Sequence, residues 1–430
     1  MQPDGSQARA MSLAVRLGWV LLLAAGVAGC GSFHGRGIRH QVPHQYSVDE
    51  PQFLRSVGQV VGPGVVASNR VSTLINGDEF FPAMLQAIGG ARKSITLETY
   101  IYWSGEVGRK FSDALAERAR AGVKVHVLID WIGSWKVDRR DLEKMRRDGV
   151  EVVKYNPPVW FNPARLNHRD HRKLLIVDGE VGFIGGAGLA DIWQGNADHP
   201  GHWRDTQFRL EGPAVGQMQA AFLDNWMKST GRVLDGEAYF PELAPAGDHF
   251  AQVYFSSPRD RTENVRLMYL LAIAAASKTI RISTSYFVPA GLTMEELLEA
   301  CRRGVQVEII VPGAKTDKPI VRFASRSKWG PLLRAGVKIY EYEPTMYHCK
   351  VMIVDDLWVT VGSANFDNRS FRLNDEANLN IFSADFARDQ VRIFQLDKQQ
   401  SNEVSYPEWK QRSLWKKCLE KMLAPCRSQL

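Results

Sequence analysis

The sequence predicts an α/β fold built from two similar halves. Three observations predict it: strand patterns alternate with helix patterns, the same order of elements occurs twice, and one short motif is present in both halves. Strands that alternate with helices form largely parallel or mixed sheets covered by helices. The length of 430 residues exceeds that of a usual single domain, and 45% hydrophobic with 23% charged residues is typical of a globular protein. We therefore expect two fused α/β halves.

The order of elements in the first half is repeated in the second. In the first half the patterns predict a strand over 94–102, a helix over 106–121, a strand from Val123, a helix over 138–147 and a strand over 151–155. In the second half they predict a strand over 279–285, a helix over 293–303, a strand from Val305, one helix over 320–334 and a strand over 338–343. A helical pattern over 215–228, rich in Met, Phe, Leu and Trp, is expected to bury an apolar face.

The repeated motif has the form His-x-Lys-x-x-x-x-Asp. Its copies consist of His171, Lys173 and Asp178, and of His348, Lys350 and Asp355. At the same offset, the first copy is followed by Gly185-Gly186-Ala187-Gly188 and the second by Gly362-Ser363-Ala364-Asn365. A single His-x-Lys pair on a strand is usually an exposed surface pair. Duplication in matching strand and turn contexts favours one composite site instead.

The spacing within the motif suits a bound phosphate. In an extended strand, His and Lys two residues apart project from the same face, so that both can contact one phosphate. The intervening Arg172 and Cys349 are expected to point away from that face. Each aspartate follows a short apolar run, 174–177 or 351–354, which predicts a buried strand that ends in a carboxylate.

These motifs resemble those of the phospholipase D superfamily, and within it the bacterial cardiolipin synthases. The similar sequence segments are Asn167-His168-Arg169-Asp170-His171-Arg172-Lys173, Trp203-Arg204-Asp205-Thr206, Met346-Tyr347-His348-Cys349-Lys350 and Gly362-Ser363-Ala364-Asn365-Phe366-Asp367-Asn368-Arg369-Ser370-Phe371, followed by Asn374 and Glu376. The resemblance extends from about Leu74 to the C-terminus. It implies the phospholipase D fold, in which two α/β/α sandwich domains with mixed sheets pack about a pseudo-twofold axis and both motifs meet in one cleft. One departure is Gly188, which stands where the second repeat has Asn365.

The resemblance also implies a mechanism. Without a metal, cleavage of a phosphodiester requires a nucleophile, an acid for the departing alkoxide and fixed positive charge at the phosphoryl oxygens. Histidine can fill either of the first two roles because its unperturbed pKa is about 6.5. The resemblance favours His171 as the nucleophile that forms a phosphatidyl-histidine intermediate and His348 as the acid and base, although the near-symmetric motifs leave the reverse assignment open.

The remaining site residues are assigned supporting roles. Lys173 and Lys350 are expected to hold the phosphoryl oxygens, and Asp178 and Asp355 to orient the imidazoles, in the family each serving the histidine of the opposite repeat. Ser363, Asn365, Gly186 and Glu376 are assigned to substrate binding. We expect no cofactor and no metal site, because the cysteines Cys301, Cys349, Cys418 and Cys426 show no metal-ligand spacing. A disulfide between Cys418 and Cys426 is left open.

The N-terminus resembles a bacterial lipoprotein signal. Arg9 and Arg16 precede an apolar run over 17–29 that is too short to span a membrane comfortably and that ends at Cys30. Acylation of Cys30 would anchor the mature protein on the periplasmic side, and Gly31 favours the outer membrane. An ordinary cleaved signal and an uncleaved anchor are the alternatives.

The resulting division of the chain has five segments. We predict a signal peptide over 1–30, a flexible tether over 31–50, a first domain over 51–230, a linker over 231–250, and a second domain over 251–430 that ends in a basic amphipathic tail. The oligomeric state is left open.

Two features favour a phospholipid over a nucleic acid as substrate. The net charge of +7 suits either phosphate-bearing partner. The apolar loop over 157–161 and the basic amphipathic tail suit a membrane surface, although each could equally pack on its own domain. We expect a phosphatidyltransferase that uses phosphatidylglycerol. Hydrolytic phospholipase D and a nuclease of the same superfamily are the alternatives, and no nucleic acid is expected as a partner.

Overall fold

The computed structural model describes residues 38–158, 167–258, 262–289, 291–413 and 417. The described residues from Arg39 onward belong to one compact unit. The predicted signal peptide with Cys30, most of the apolar loop over 157–161, and the tail cysteines Cys418 and Cys426 lie outside the described residues.

The elements follow one another in the order that the sequence patterns predict. Those before residue 231 are α1 (Pro51–Val60), β1 (Val66–Ile75), α2 (Asn76–Gly90), β2 (Ser94–Thr99), α3 (Glu106–Arg120), β3 (Lys124–Asp130), α4 (Arg139–Arg147), β4 (Glu151–Tyr155), β5 (Lys173–Val177), β6 (Val181–Gly185), β7 (Thr206–Glu211) and α5 (Ala214–Thr230). Those after it are β8 (His249–Ser256), α6 (Asn264–Ala275), β9 (Thr279–Thr284), β10 (Phe287–Val288), α7 (Leu292–Arg302), β11 (Gln306–Pro312), α8 (Pro319–Arg326), α9 (Trp329–Arg334), β12 (Lys338–Tyr342), β13 (Lys350–Val354), β14 (Trp358–Gly362), β15 (Phe366–Asp367), α10 (Asn368–Arg372), β16 (Glu376–Phe382), α11 (Ala384–Gln399), β17 (Ser401–Glu403) and α12 (Tyr406–Gln411).

One mixed sheet of 15 strands joins the two halves. Its order in the first half, β1-β7-β6-β5-β2-β3-β4, is repeated outward from the seam as β8-β16-β14-β13-β9-β11-β12. The strands β2, β3 and β4 run parallel, as do β9, β11 and β12, while β5 and β13 run antiparallel to β2 and β9. The seam is the antiparallel pair of β1 and β8. The same topology on both sides of this seam is what a duplicated α/β unit produces.

Apolar side chains fill the space between the sheet and its helices. Met218, Phe222 and Trp226 of α5 are fully buried in a cluster that also contains Phe386 and Phe394 of α11. This cluster includes strand residues from both halves, so it extends across the seam. The prediction that the helix near 215–228 buries an apolar face is confirmed.

The N-terminal segment differs from its prediction. The amide of Val42 donates to Glu296 Oε1 at 2.7 Å, and the ring of Phe53 lies edge-on to Trp358, with centroids 6.2 Å apart. Residues 38–50 are therefore packed against the second half and are not a flexible tether. Helix α1 also packs there, because its apolar residues Phe53 and Val57 are buried in a cluster formed mainly by residues of the second half. The first half thus begins at β1 and not at residue 51.

The helix predicted over 320–334 is two helices, α8 and α9. Pro331 has no amide hydrogen, and its ring would clash with the carbonyl of Ser327 in a continuous helix. The chain therefore breaks between Arg326 and Trp329.

Candidate active site

The two histidines directly precede equivalent strands and are tied to the opposite halves. The amide of His171 donates to the carbonyl of Asp375 at 2.9 Å, and the amide of His348 donates to the carbonyl of Arg204 at 2.7 Å. Each bond belongs to a short parallel bridge that continues through Asp170 or Tyr347. The backbone therefore holds each motif against the segment that follows the motif strands of the other half.

Each imidazole has a carboxylate partner, which also comes from the opposite half. His171 Nδ1 lies 2.9 Å from Glu376 Oε2, and His348 Nδ1 lies 2.7 Å from Asp205 Oδ2. Both carboxylates are fully buried. An acceptor at Nδ1 favours the tautomer that carries its proton there, so that Nε2 is left with the lone pair.

The expected role of Asp178 and Asp355 as imidazole partners is wrong. Asp178 accepts hydrogen bonds from the amides of Arg92, Lys93 and Ser94 at 2.7 to 3.1 Å. Asp355 accepts equivalent bonds from the amides of residues 277, 278 and 279. The strand between the histidine and the aspartate is extended, which separates the two ends by about 20 Å. These aspartates hold the start of β2 and β9, and Glu376 and Asp205 take the place next to the imidazoles.

The two lysines lie in the same buried cluster as the histidines. Lys173 Nζ donates to the carbonyl of His171, and Lys350 Nζ donates to that of His348, each at 2.6 Å. Lys350 Nζ also donates to Ser285 Oγ at 2.6 Å. Burial lowers the pKa of Lys173 to about 7 and lowers that of Lys350 as well. A buried cation without a full countercharge favours the binding of an anion.

Lysine charges from both motifs act on His171, and the charge of Lys350 acts on His348. Burial lowers the pKa of His171 well below its usual value, and the charges of Lys173 and Lys350 act in the same direction. Burial lowers the pKa of His348 to about 4, and Lys350 contributes to the shift. Each histidine contacts a carboxylate of the opposite half, and Lys350 of the second motif acts on His171 of the first, so the two motifs lie together in one site.

The proteins to which the sequence is similar identify its family. Residues 84–193 and 269–398 match the family model described as cardiolipin synthase, PLD-like domain. The chain is 36% identical over 361 residues to cardiolipin synthase 2 of Bacillus anthracis, and this match covers 82% of this chain and 70% of that protein. It is 35% identical over 373 residues to the cardiolipin synthase of Geobacillus kaustophilus, and this match covers 86% of this chain and 73% of that protein.

The chain belongs to the cardiolipin synthase family of phospholipase D-like proteins. It is therefore an enzyme of the phosphatidyltransferase class, and this family acts on phospholipids. The crystal structure of phosphatidylserine synthase from Haemophilus influenzae Rd KW20 has the same fold, with a TM-score of 0.68 at 16% identity over 87% of this chain and 98% of that chain. The predicted phospholipase D fold is confirmed.

Cardiolipin synthases are membrane-associated enzymes. Among the residues for which the structure gives a placement, none of the helices is both long and apolar enough to cross a bilayer.

The predicted substrate-binding residues differ in their surroundings. Ser363 Oγ donates to Glu376 Oε2 at 2.5 Å, so Ser363 holds the carboxylate that contacts the His171 imidazole. A Cβ at Gly186 would lie 2.3 Å from Asp205 Oδ1, so the absence of a side chain there makes room for that carboxylate. Asn365 is buried, and its Oδ1 has no hydrogen-bond partner among the described residues. Of these four residues, Asn365 therefore has a buried side-chain oxygen without a partner among the described residues.

Two aromatic residues that the sequence analysis did not assign complete the site. Trp193 Nε1 donates to Asp205 Oδ2 at 2.9 Å, and its indole lies 5.4 Å from the His348 ring. A Cβ at Gly188 would lie 2.8 Å from Ile101 Cβ and 3.1 Å from this indole, so Ile101 and Trp193 together occupy the space beside the position where the second repeat has Asn365. The ring of Tyr100 lies 5.1 Å from that of His171. The departure at Gly188 was the sequence signal for this crowded position, and the closeness of Ile101 and Trp193 explains it.

The residues between His and Lys point away from the site, as predicted. Arg172 is fully buried and pairs with Asp224 at 2.8 Å. Cys349 is buried in the cluster that crosses the seam, and burial raises the pKa of its thiol to about 12. A thiol with so high a pKa is a poor nucleophile at neutral pH.

The buried His348 predicts a pH-dependent stability. Its folded-state pKa of about 4 lies below the unfolded value of 6.5, so its contribution is complete above pH 6.5 and is lost as the pH falls to about 4. Between pH 6.5 and 4.5 the free energy of unfolding should fall by about 2–3 kcal/mol more in the parent than in His348→Gln. Urea unfolding of both proteins at the two pH values measures this difference. Equal losses would contradict it.

Proposed function

We propose that the enzyme moves a phosphatidyl group from phosphatidylglycerol to the hydroxyl of a second phospholipid, giving cardiolipin and releasing glycerol. The observation that carries this proposal is the pair of His–carboxylate contacts that cross between the halves, beside the two buried lysines. Two imidazoles, each with a lone pair at Nε2, supply the nucleophile and the proton carrier of a two-step transfer. The cardiolipin synthases of Bacillus and Geobacillus agree with this choice of reaction.

In the first step, Nε2 of His171 attacks phosphorus and the bond from phosphorus to the glycerol oxygen breaks. His348, in its protonated form, donates its proton to that oxygen, and glycerol leaves. In the second step, His348 accepts the proton of the acceptor hydroxyl while its oxygen attacks phosphorus. The bond from phosphorus to nitrogen then breaks, which restores His171. Glu376 and Asp205 stabilise the positive imidazole that forms in each step.

The bound phosphodiester supplies the charge that this cycle requires. Without it, burial and the charge of Lys350 hold the pKa of His348 at about 4, so the imidazole is neutral near pH 7. A phosphodiester anion between Lys173 and Lys350 offsets these charges and raises the pKa values of the lysines and of His348. Asn365 contributes its amide to the same oxygens. Substrate binding thereby prepares the acid that the first step needs.

Product analysis tests the reaction class. The purified enzyme is incubated with vesicles of labelled phosphatidylglycerol, with and without EDTA, and the lipids are separated. Cardiolipin and glycerol are expected as products. Their yield should be the same with and without the chelator, because the site residues are histidine and lysine. Phosphatidic acid would instead indicate a hydrolytic phospholipase D, which shares the covalent intermediate, and nucleic-acid cleavage without lipid turnover would indicate a nuclease. Loss of activity in EDTA would contradict the metal-free mechanism.

We also propose that the enzyme is a lipoprotein anchored through Cys30 on the periplasmic side, with the outer membrane favoured. The apolar run over 17–29 that ends at Cys30 supports this location. Cells that express the parent and Cys30→Ser are labelled with a fatty acid and fractionated. Label is expected in the parent alone, in the outer-membrane fraction, and equal labelling of both proteins would refute the anchor.

A further inference from the structure

The loop that follows β3 exposes two tryptophans. Trp131 is 37% exposed and Trp135 is 71% exposed. Lys136 lies next to Trp135 and places its ammonium 3.9 Å from the centroid of Trp103 and 5.3 Å from that of Trp135. We call residues 131–140, which include the first two residues of α4, the tryptophan loop. An indole with a cation beside it is typical of a surface that enters the interface of a bilayer.

The tryptophan loop is held rigidly beside His171. A Cβ at Gly133 would lie 1.9 Å from the carbonyl oxygen of Tyr100, so the loop and Tyr100 are in direct contact. Trp103 Nε1 donates to the carbonyl of Gly133 at 2.8 Å. Asp130, at the base of the loop, accepts hydrogen bonds from the amides of Gly133 and Asp170. Since the ring of Tyr100 contacts His171, the exposed indoles belong to the rim of the active site.

The second half has an equivalent loop after β11. Residues 313–322 lead into α8, where Ile320 is 54% exposed. Lys318 Nζ lies 4.8 Å from the ring centroid of Tyr286, whose hydroxyl donates to Asp317. Tyr286 packs in a cluster that includes Trp203, and Trp203 lies 5.2 Å from the His348 ring. This second loop is therefore on the rim next to His348.

Both loops carry more basic than acidic residues. Residues 131–140 contain Lys136, Arg139 and Arg140 against Asp138. Residues 313–322 contain Lys315, Lys318 and Arg322 against Asp317. Lys136, Arg139, Arg140 and Lys315 are exposed to solvent, with 89% of the Arg139 side chain accessible even though it pairs with Glu143, whereas Arg322 is partly buried against Glu341. Exposed apolar side chains among net positive charge match the apolar and anionic layers of a phospholipid surface.

We propose that the tryptophan loop and the loop over 313–322 form a docking surface for an anionic phospholipid bilayer, with Trp135 inserted between the headgroups. This inference extends the proposed function, because it assumes that the substrate resides in a membrane. Insertion at the rim places the headgroup layer next to the histidines, so that a phosphodiester enters the site without leaving the interface. The proposal names a surface, and it is independent of which headgroup is transferred.

Vesicle binding of full-length variants tests the docking surface. All proteins carry Cys30→Ser, which prevents acylation at that position, and are mixed with phosphatidylcholine vesicles with and without phosphatidylglycerol. Trp135→Ser should weaken binding to the anionic vesicles by about tenfold or more. The variant lacks the indole that is exposed in the free protein and that would become buried in the bilayer. Lys136→Gln with Arg140→Gln should weaken it by about fivefold per charge and should reduce its dependence on salt. The control is Val233→Ser, whose parent residue is 62% exposed on the segment after α5.

Turnover separates docking from the reaction itself. On vesicles, Trp135→Ser should lose activity in proportion to binding, whereas on a monomeric short-chain phosphatidylglycerol it should retain the parent rate within about twofold. Unchanged vesicle binding by Trp135→Ser, or an equal loss by Val233→Ser, would overturn the docking surface. If the parent acts on no phospholipid but Trp135→Ser still loses vesicle binding, the proposed function fails and the docking surface stands. The docking surface would also be overturned if Trp135 bound a partner protein and did not bind vesicles.

Discussion

Replacing His348 with alanine is expected to lower turnover of phosphatidylglycerol by about 10²- to 10⁴-fold, the usual contribution of a general acid. The physical reason is that the glycerol oxygen would leave as an alkoxide without a proton. His171, which keeps its contact with Glu376, can still attack phosphorus. We therefore expect a phosphatidyl adduct to accumulate on His171 in this variant. Mass spectrometry after an alkaline quench measures the adduct, since a bond from phosphorus to histidine is labile in acid.

A matched control for this experiment is His168→Ala. His168 lies three residues before His171 in the chain, and its Nδ1 lies 3.2 Å from the carbonyl of Leu373, so it has no carboxylate partner in that contact. We expect turnover close to that of the parent. His171→Ala should form no adduct and should lose turnover as completely as the double variant of both motif histidines. An adduct on His348 in His171→Ala would reverse the assignment of nucleophile and acid.

Replacing the carboxylate partners is expected to be nearly as damaging. In Glu376→Gln and Asp205→Asn the side chain can donate to Nδ1, which permits the wrong imidazole tautomer and removes the charge that stabilises the imidazolium. Loss of the corresponding carboxylate in a serine protease lowers kcat by about 10⁴-fold, and we expect a loss of about 10³- to 10⁴-fold here. Steady-state turnover of each variant, with circular dichroism to verify folding, measures the effect.

The motif aspartates provide the contrast. Asp178 and Asp355 bind backbone amides at the start of β2 and β9, so Asp178→Ala should lower the free energy of unfolding by about 2–4 kcal/mol, as expected for hydrogen bonds to a charged acceptor. Under conditions in which the variant is folded, its turnover should stay within about tenfold of the parent. If folded Asp178→Ala lost as much turnover as Glu376→Gln, the motif aspartates would have a direct role in the reaction.

The elements and the two histidines were predictable because they depend on local patterns. Period-two and helical patterns marked β2, β4, α3 and α4 within a few residues, and the duplicated motif marked the two strands that follow His171 and His348. The break between α8 and α9 was visible in principle, because Pro331 excludes a continuous helix. The position of α1 was not visible, since its apolar face covers strands that are some 200 residues or more away in the chain.

The sequence by itself determined that two His-Lys pairs would be presented at the start of equivalent strands, because alternation in an extended segment is a property of the local backbone. Only the tertiary structure decided which carboxylates serve them, because Glu376 lies 205 residues from His171 and Asp205 lies 143 residues from His348. The motif aspartates were the nearer candidates in the chain, but an extended strand carries them to its far end. Contacts that cross the seam depend on how the halves pack, and no spacing within either motif encodes that arrangement.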